Sequence, residues 1–256
     1  MKIVRFNKEG RSGYAVLDGE KLFPLWETPF SGITETGETL ALGDVTLLAP
    51  CEPTKIVALG LNYRDHAAEF GHPVPDEPLI FLKPSTAVIG PEADIIYPQM
   101  SRRVDYEAEL AVIIGKTVHR VEEDKAQEYV LGYTCFNDVT ARDLQKKDGL
   151  FTRAKGFDTF AAMGPWIETE IRDPDNVMVE AYLNGERRQH SSTSNMVFGV
   201  RRLISFISQV MTLLPGDVIA TGTPSGIGPM RPGDVVEVKV EGIGTLRNRV
   251  LAEEGT

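Results

Sequence analysis

The sequence predicts an α+β chain that is mainly β, with a β-roll or sandwich-like body rather than a doubly wound sheet. Short apolar runs of strand length outnumber stretches with helical periodicity. Two Pro-Gly-Asp-Val turns, starting at Pro215 and Pro232, each lead into a strand-like run, and Asn184-Gly185 has the chemistry of a hairpin turn. Strands and helices do not alternate in the βαβ order that builds a parallel sheet. The chain has 256 residues, 42% hydrophobic and 25% charged, enough to bury a core of its own.

Residues 2–6 and 14–17 read as strands, with Asp18-Gly19 as the tight turn into a third strand at 21–25. Residues 28–43 are rich in Gly, Thr and Glu and read as a connection, so a boundary is expected near Pro50. That divides the chain into a small β-rich N-terminal domain, 1–50, and a larger domain, 51–256. The run 55–60 is a strand ending at Gly60. Asn62, with Asp65 at the third helical position, approximates a capping box for a helix over 63–70. Gly71 and the prolines at 73, 75 and 78 stop that helix. A short helix followed by a Pro-rich loop suits a movable lid. Further strands are expected at 79–82, 107–114, 130–137, 177–183, 217–221, 235–240 and 245–250. Helices are expected at 122–130 and 198–211, where Val200, Leu203, Ile204, Ile207 and Met211 recur at helical spacing.

The net charge of -10 comes from 37 acidic and 27 basic residues with no Lys/Arg cluster, which argues against a nucleic-acid partner. An anionic substrate would need local positive charge from a metal, a lysine or backbone amides. Cys51 and Cys135 form no C-x-x-C pair. The N-terminus lacks an apolar leader and no run approaches the roughly eighteen apolar residues of a membrane span. A cytoplasmic protein with no membrane partner is expected.

Alternation on the strand at 107–114 puts Glu107 and Glu109 on one face, followed by Ala111 and Ile113. Two carboxylates on an otherwise apolar face resist desolvation and repel each other, so a cation between them is expected. Oxygen donors suit Mg²⁺, Mn²⁺ or Ca²⁺, and Asp138, ending the next apolar run, offers a third carboxylate. A charged strand edge and a loop aspartate fit the same spacing. Zinc is disfavoured, because His66, His72, His119 and His190 show no ligand spacing. His66 and Glu69 stand three apart on the lid helix, where a carboxylate can orient an imidazole as a general base; an ordinary surface pair is the alternative. Lys155, alone among small and aromatic residues, can clamp a carboxylate or stabilise an enolate. The loop 221–228 offers unobstructed backbone amides and hydroxyls for a carboxylate.

In order and spacing these segments resemble the fumarylacetoacetate hydrolase family. The matching stretches are Gly60-Leu61-Asn62-Tyr63-Arg64-Asp65-His66-Ala67-Ala68-Glu69, Phe81-Leu82-Lys83-Pro84-Ser85-Thr86, residues 105–115, Asn137-Asp138-Val139-Thr140-Ala141-Arg142-Asp143, Lys155-Gly156-Phe157-Asp158 and residues 221–228. The resemblance implies a β-roll catalytic body, a homodimer, metal carboxylates at Glu107, Glu109 and Asp138, a lid dyad of His66 and Glu69, and a substrate lysine at Lys155. It further implies substrate contacts at Gln145 and Thr223. Relatives similar to acylpyruvases often carry Arg at the position of Leu61, and here Arg64 is the lid cation expected to serve the substrate. The implied activity is metal-dependent hydrolysis of a C–C bond in a small anionic 2-oxo acid. Decarboxylation of an oxaloacetate-type acid and isomerisation of a hydroxymuconate-type acid use the same residues, and a non-catalytic module stabilised by its cation is the reading from another class.

Overall fold

The computed structural model describes residues 1–69, 71 and 73–254. Among them a mixed twelve-stranded sheet is joined by sheets of three and five strands, an α+β architecture that is mainly β. At the centre of the large sheet the strands Ala108–Ile114, Val130–Asp138 and Ala161–Glu168 run antiparallel. The first of these is buried on both faces, which is why it reads as a continuous apolar run. Leu110, Val112 and Ile114 enter the larger core cluster, while Ala111 and Ile113 pack with Ile3, Phe136 and Met163 on the other face.

Strand directions determine where chemistry can gather. Beyond Ala108–Ile114 the sheet continues to Val218–Ala220, Ile56–Gly60 and the edge strand Leu79–Lys83. The strands ending at Asp138, Ala220 and Gly60 all finish at the rim where Ala108–Ile114 begins, so three exits and one entry meet there. Four strand spacings separate Val130–Asp138 from Leu79–Lys83 along the sheet, about 19 Å if it were flat. Lys83 nevertheless bonds Asp138, so the sheet rolls its edge back over that rim.

Helix α1 (Arg64–Glu69) leaves the rim after Gly60; α2 (Arg142–Asp148) and α3 (Thr152–Lys155) follow Asp138. Helix α4 (Val200–Val210) buries Val200, Leu203, Ile204 and Ile207, as their spacing predicts.

The structure corrects several expectations. Residues 122–130 form a 3₁₀ helix, Glu123–Tyr129, rather than an α-helix. The strand expected at 107–114 begins at Ala108; Glu107 occupies the corner between it and Val104–Tyr106, which belongs to the three-stranded sheet. Asn62 is not engaged in capping: its amide bonds Phe198 and the Thr221 carbonyl. Phe70, the last residue of the expected lid helix, and His72 lie outside the described residues. The strands of residues 1–50 continue the large sheet, because Lys2–Lys8 pairs with Ala161–Glu168 through Ile3 and Ile167. Among the described residues no helix is long and apolar enough to cross a membrane.

Candidate active site

The corner at Glu107 is built by backbone bonds. Its N–H donates to the Asn137 side chain at 3.0 Å, and Asp138 N–H donates to its carbonyl at 2.9 Å, so Glu107 and Asp138 are held face to face. Glu109 joins from the adjoining strand, and ligand oxygens of the three carboxylates lie within 4.8 Å of one another. All three side chains are buried.

Cations surround this cluster unevenly. Lys155 Nζ bonds Glu107 at 2.9 Å, Thr140 at 2.8 Å and also Asp138. Lys83 Nζ takes the other Asp138 oxygen. Arg142 bonds the other Glu107 oxygen and Gln145, and its Nε donates at 3.0 Å to the buried Asp105, which Arg103 also grips. Glu109 receives a single hydrogen bond among the described residues, from Gly222 N–H at 2.8 Å.

The proton affinities diverge accordingly. Burial alone would raise the Glu107 carboxyl, but Lys155 and Arg142 pull it down to about 2. Burial, then the charges of Asp138 and Glu107, push Glu109 well above the usual carboxylate range. Lys155 is held above the ordinary lysine value because Asp138 and Glu107 outweigh the cost of its burial. Glu109 is therefore the carboxyl whose ionised form the protein's own cations stabilise least, and an all-oxygen donor set beside it fits a hard divalent cation.

A cavity of about 570 Å³ reaches the cluster at Glu107. His66, Glu107, Arg142, Gln145, Lys155 and Thr223 line its polar part. His66 Nδ1 is 3.4 Å from Glu69, and burial lowers the imidazole below its ordinary value, keeping it neutral near pH 7. Gly226 N–H reaches the Glu69 carboxylate at 3.2 Å, tying α1 to the loop at 221–228. That loop needs its glycines: Gly226 has φ +94°, and a Cβ there would stand 2.4 Å from the Arg188 carbonyl oxygen.

The structure thus brings together Glu107, Glu109, Asp138, Lys155, His66 and Glu69, with Gln145 and Thr223 on the cavity wall. Thr223 Oγ1 is itself bonded to the Ala108 carbonyl and to Gln189. Arg64 stands apart: its guanidinium donates to the Met196 carbonyl and does not line the cavity. Residue reasoning missed Lys83, Arg142 and Asp105. A lysine closing the apolar run 79–82 was the available signal for the first.

The profile of the family described as "Fumarylacetoacetate (FAA) hydrolase C-terminal" matches residues 55–251, and that described as "Rv2993c-like, N-terminal" matches residues 1–50. The crystal structure of 2-hydroxyhepta-2,4-diene-1,7-dioate isomerase from Mycobacterium marinum is 42% identical with a TM-score of 0.93, covering 100% of each chain. The 2,4-didehydro-3-deoxy-L-rhamnonate hydrolase of a Sphingomonas species is 42% identical over 77% of this chain and 73% of its own. The mitochondrial oxaloacetate tautomerase of Xenopus laevis is 41% identical over 88% of this chain and 74% of its own.

Proposed function

The chain belongs to the fumarylacetoacetate hydrolase family, and on that footing we propose that it hydrolyses a C–C bond in a small acylpyruvate-type 2-oxo acid with a divalent cation as cofactor. The observation that carries this reading is the convergence of three buried carboxylates, one of which, Glu107, lines a cavity together with His66. Glu107, Glu109 and Asp138 would hold Mg²⁺ or Mn²⁺, which when bound supplies Lewis acidity toward the 2-oxo group and its carboxylate. The remaining steps belong to the chain.

Arg142 and Lys155 supply fixed positive charge at the polar end of the cavity, where the substrate anion binds. His66, oriented by Glu69, takes a proton from water. The resulting hydroxide adds to the distal carbonyl carbon. The bond from that carbon to the neighbouring methylene then breaks, its electron pair staying with the pyruvate fragment as an enolate. Proton return from His66 completes pyruvate, and the acyl fragment leaves as a carboxylic acid. We also propose a homodimer, as the resemblance implies, and, from the sequence reading, a cytoplasmic location.

A second reading rests on the relatives named tautomerase and isomerase: with no water admitted, the same imidazole can carry a proton between carbon and oxygen. Decarboxylation of a 2-oxo acid would need only the anion-binding end. A purely structural cation site gives no reason for His66 and Arg142 to line the cavity. The test is to incubate the protein with acetylpyruvate, oxaloacetate and a 2-hydroxymuconate derivative, with Mg²⁺ and with EDTA, and to follow products by NMR. Mg²⁺-dependent release of pyruvate and acetate from acetylpyruvate is expected; conversion of either other acid with acetylpyruvate untouched would transfer the assignment to the second reading or to decarboxylation.

A further inference from the structure

The cavity has two chemically distinct ends, and the outer one is larger than a bare oxo acid requires. A pyruvate-sized head fills roughly 180 Å³ even at water's share of about 30 Å³ per heavy atom. The cavity holds about 570 Å³. His66, Arg142 and Lys155 line it together with Glu107, while Leu61, Leu79, Phe81, Phe151 and Ile227 supply its large apolar side chains. Leu79 is 43% exposed, an apolar side chain left uncovered at the mouth.

The aromatic pair makes this wall specific. Phe81 and Phe151 stack with ring centroids 4.6 Å apart and planes 24° from parallel. Lys155 Nζ lies 5.1 Å from the Phe81 centroid, so the apolar wall starts directly at the charged floor. A substrate whose carboxylate sits at that floor must pass its acyl tail along these rings. Among the described residues Lys146 is the further cation on the wall; it is exposed, and an ammonium there keeps its own water rather than demanding a partner.

Resting on the hydrolase reading above, we infer that the physiological acylpyruvate carries an apolar, aryl-type tail rather than a second carboxylate. An aromatic ring entering beside Phe81 and Phe151 gains apolar burial and an offset-stacking contact, whereas a tail carboxylate would lose hydration against Leu61, Phe151 and Ile227 with no buried cation among the described residues of that wall to meet it.

The experiment compares kcat/KM for benzoylpyruvate, acetylpyruvate and succinylpyruvate, and in parallel titrates phenylpyruvate and pyruvate into the Mg²⁺-loaded protein by calorimetry. We expect benzoylpyruvate to exceed both others by about tenfold or more. Phe151→Ala should reduce that ratio several-fold. Phenylpyruvate should likewise bind at least tenfold more tightly than pyruvate, with the margin shrinking in Phe151→Ala. If no acylpyruvate is turned over, the hydrolase reading fails while the calorimetric margin still decides the tail. Equal or better turnover of acetylpyruvate would overturn the inference. So would a preference for succinylpyruvate that disappears in Lys146→Ala.

Discussion

Neighbouring carboxylates in this protein experience opposite fields. Glu107 faces Lys155 and Arg142 and is held low; Glu109 is pushed up by burial and then by two other carboxylates. A carboxyl raised in the folded state contributes stability below its unfolded value of about 4.5, and that contribution is lost as pH rises through the folded value. Metal-free protein at pH 7.5 therefore carries a cost at Glu109. Glu109→Gln should raise the melting temperature of EDTA-treated protein, by about 2–4 °C per kcal/mol relieved, and should abolish the further rise that Mg²⁺ gives the wild type. A lower melting temperature in the metal-free variant would contradict this assignment. His66 makes a kinetic counterpart. Replacement by Ala should cut turnover by roughly 10²–10⁴-fold. Because burial lowers its pKa, the neutral base persists below pH 6.5, so the acid limb of kcat/KM should fall below that value; a limb above it would point to another group. The clustering of Glu107, Glu109 and Asp138 was legible in the sequence as charge on an otherwise apolar strand face, while the nearness of His66 and Glu69 followed from their helical spacing and left an ordinary surface pair open. Lys83 and Arg142 were not, since a single cation beside a strand or on a short polar helix looks like any surface residue.

The start of helix α1 and the loop at 221–228 are tied together by one buried side chain. Asn62 donates to the Thr221 carbonyl at 2.8 Å and to the Phe198 carbonyl at 3.1 Å, and accepts from Phe198 N–H at 2.9 Å. At about 1 kcal/mol each, Asn62→Ala should cost about 3 kcal/mol in urea unfolding, with the m-value unchanged. A loss below about 1 kcal/mol would show that the clamp is not structural. Capping chemistry had suggested a different task for Asn62, because a helix start and a loop clamp ask for the same amide. The elements that escaped sequence reading share a cause. Ala161–Glu168 lies mid-sheet although it contains Gly164 and Pro165, residues that ordinarily mark a strand's end. Helix α2 has Leu144 as its buried residue and therefore no apolar stripe to detect. Glu186–Ser192 is wholly polar and is held by pairing with Met178–Leu183.

Over the whole molecule, the roll of the large sheet converts distant segments into one site. Lys83 from the edge strand, Asp138 from the centre and Lys155 from α3 meet although the sequence separates them widely. The strands of residues 1–50 belong to the same sheet, with Ile3 fully buried against the face that carries Phe136 and Ala161. Ile3→Ala should therefore cost about 2–5 kcal/mol, and the wild type should unfold in a single calorimetric transition. Two resolved transitions would show that residues 1–50 fold independently. Composition suggested a boundary near Pro50, whereas strand pairing between residues 3 and 167 is long-range and leaves no local signature. Everything in the mechanism depends on the carboxylate cluster gripping a cation, and calorimetric titration of Mn²⁺ into EDTA-treated protein measures that directly. One ion per chain should bind to the wild type and none to Glu109→Gln or Asp138→Asn; a wild type that binds no ion yet hydrolyses acetylpyruvate undiminished in EDTA would contradict the account.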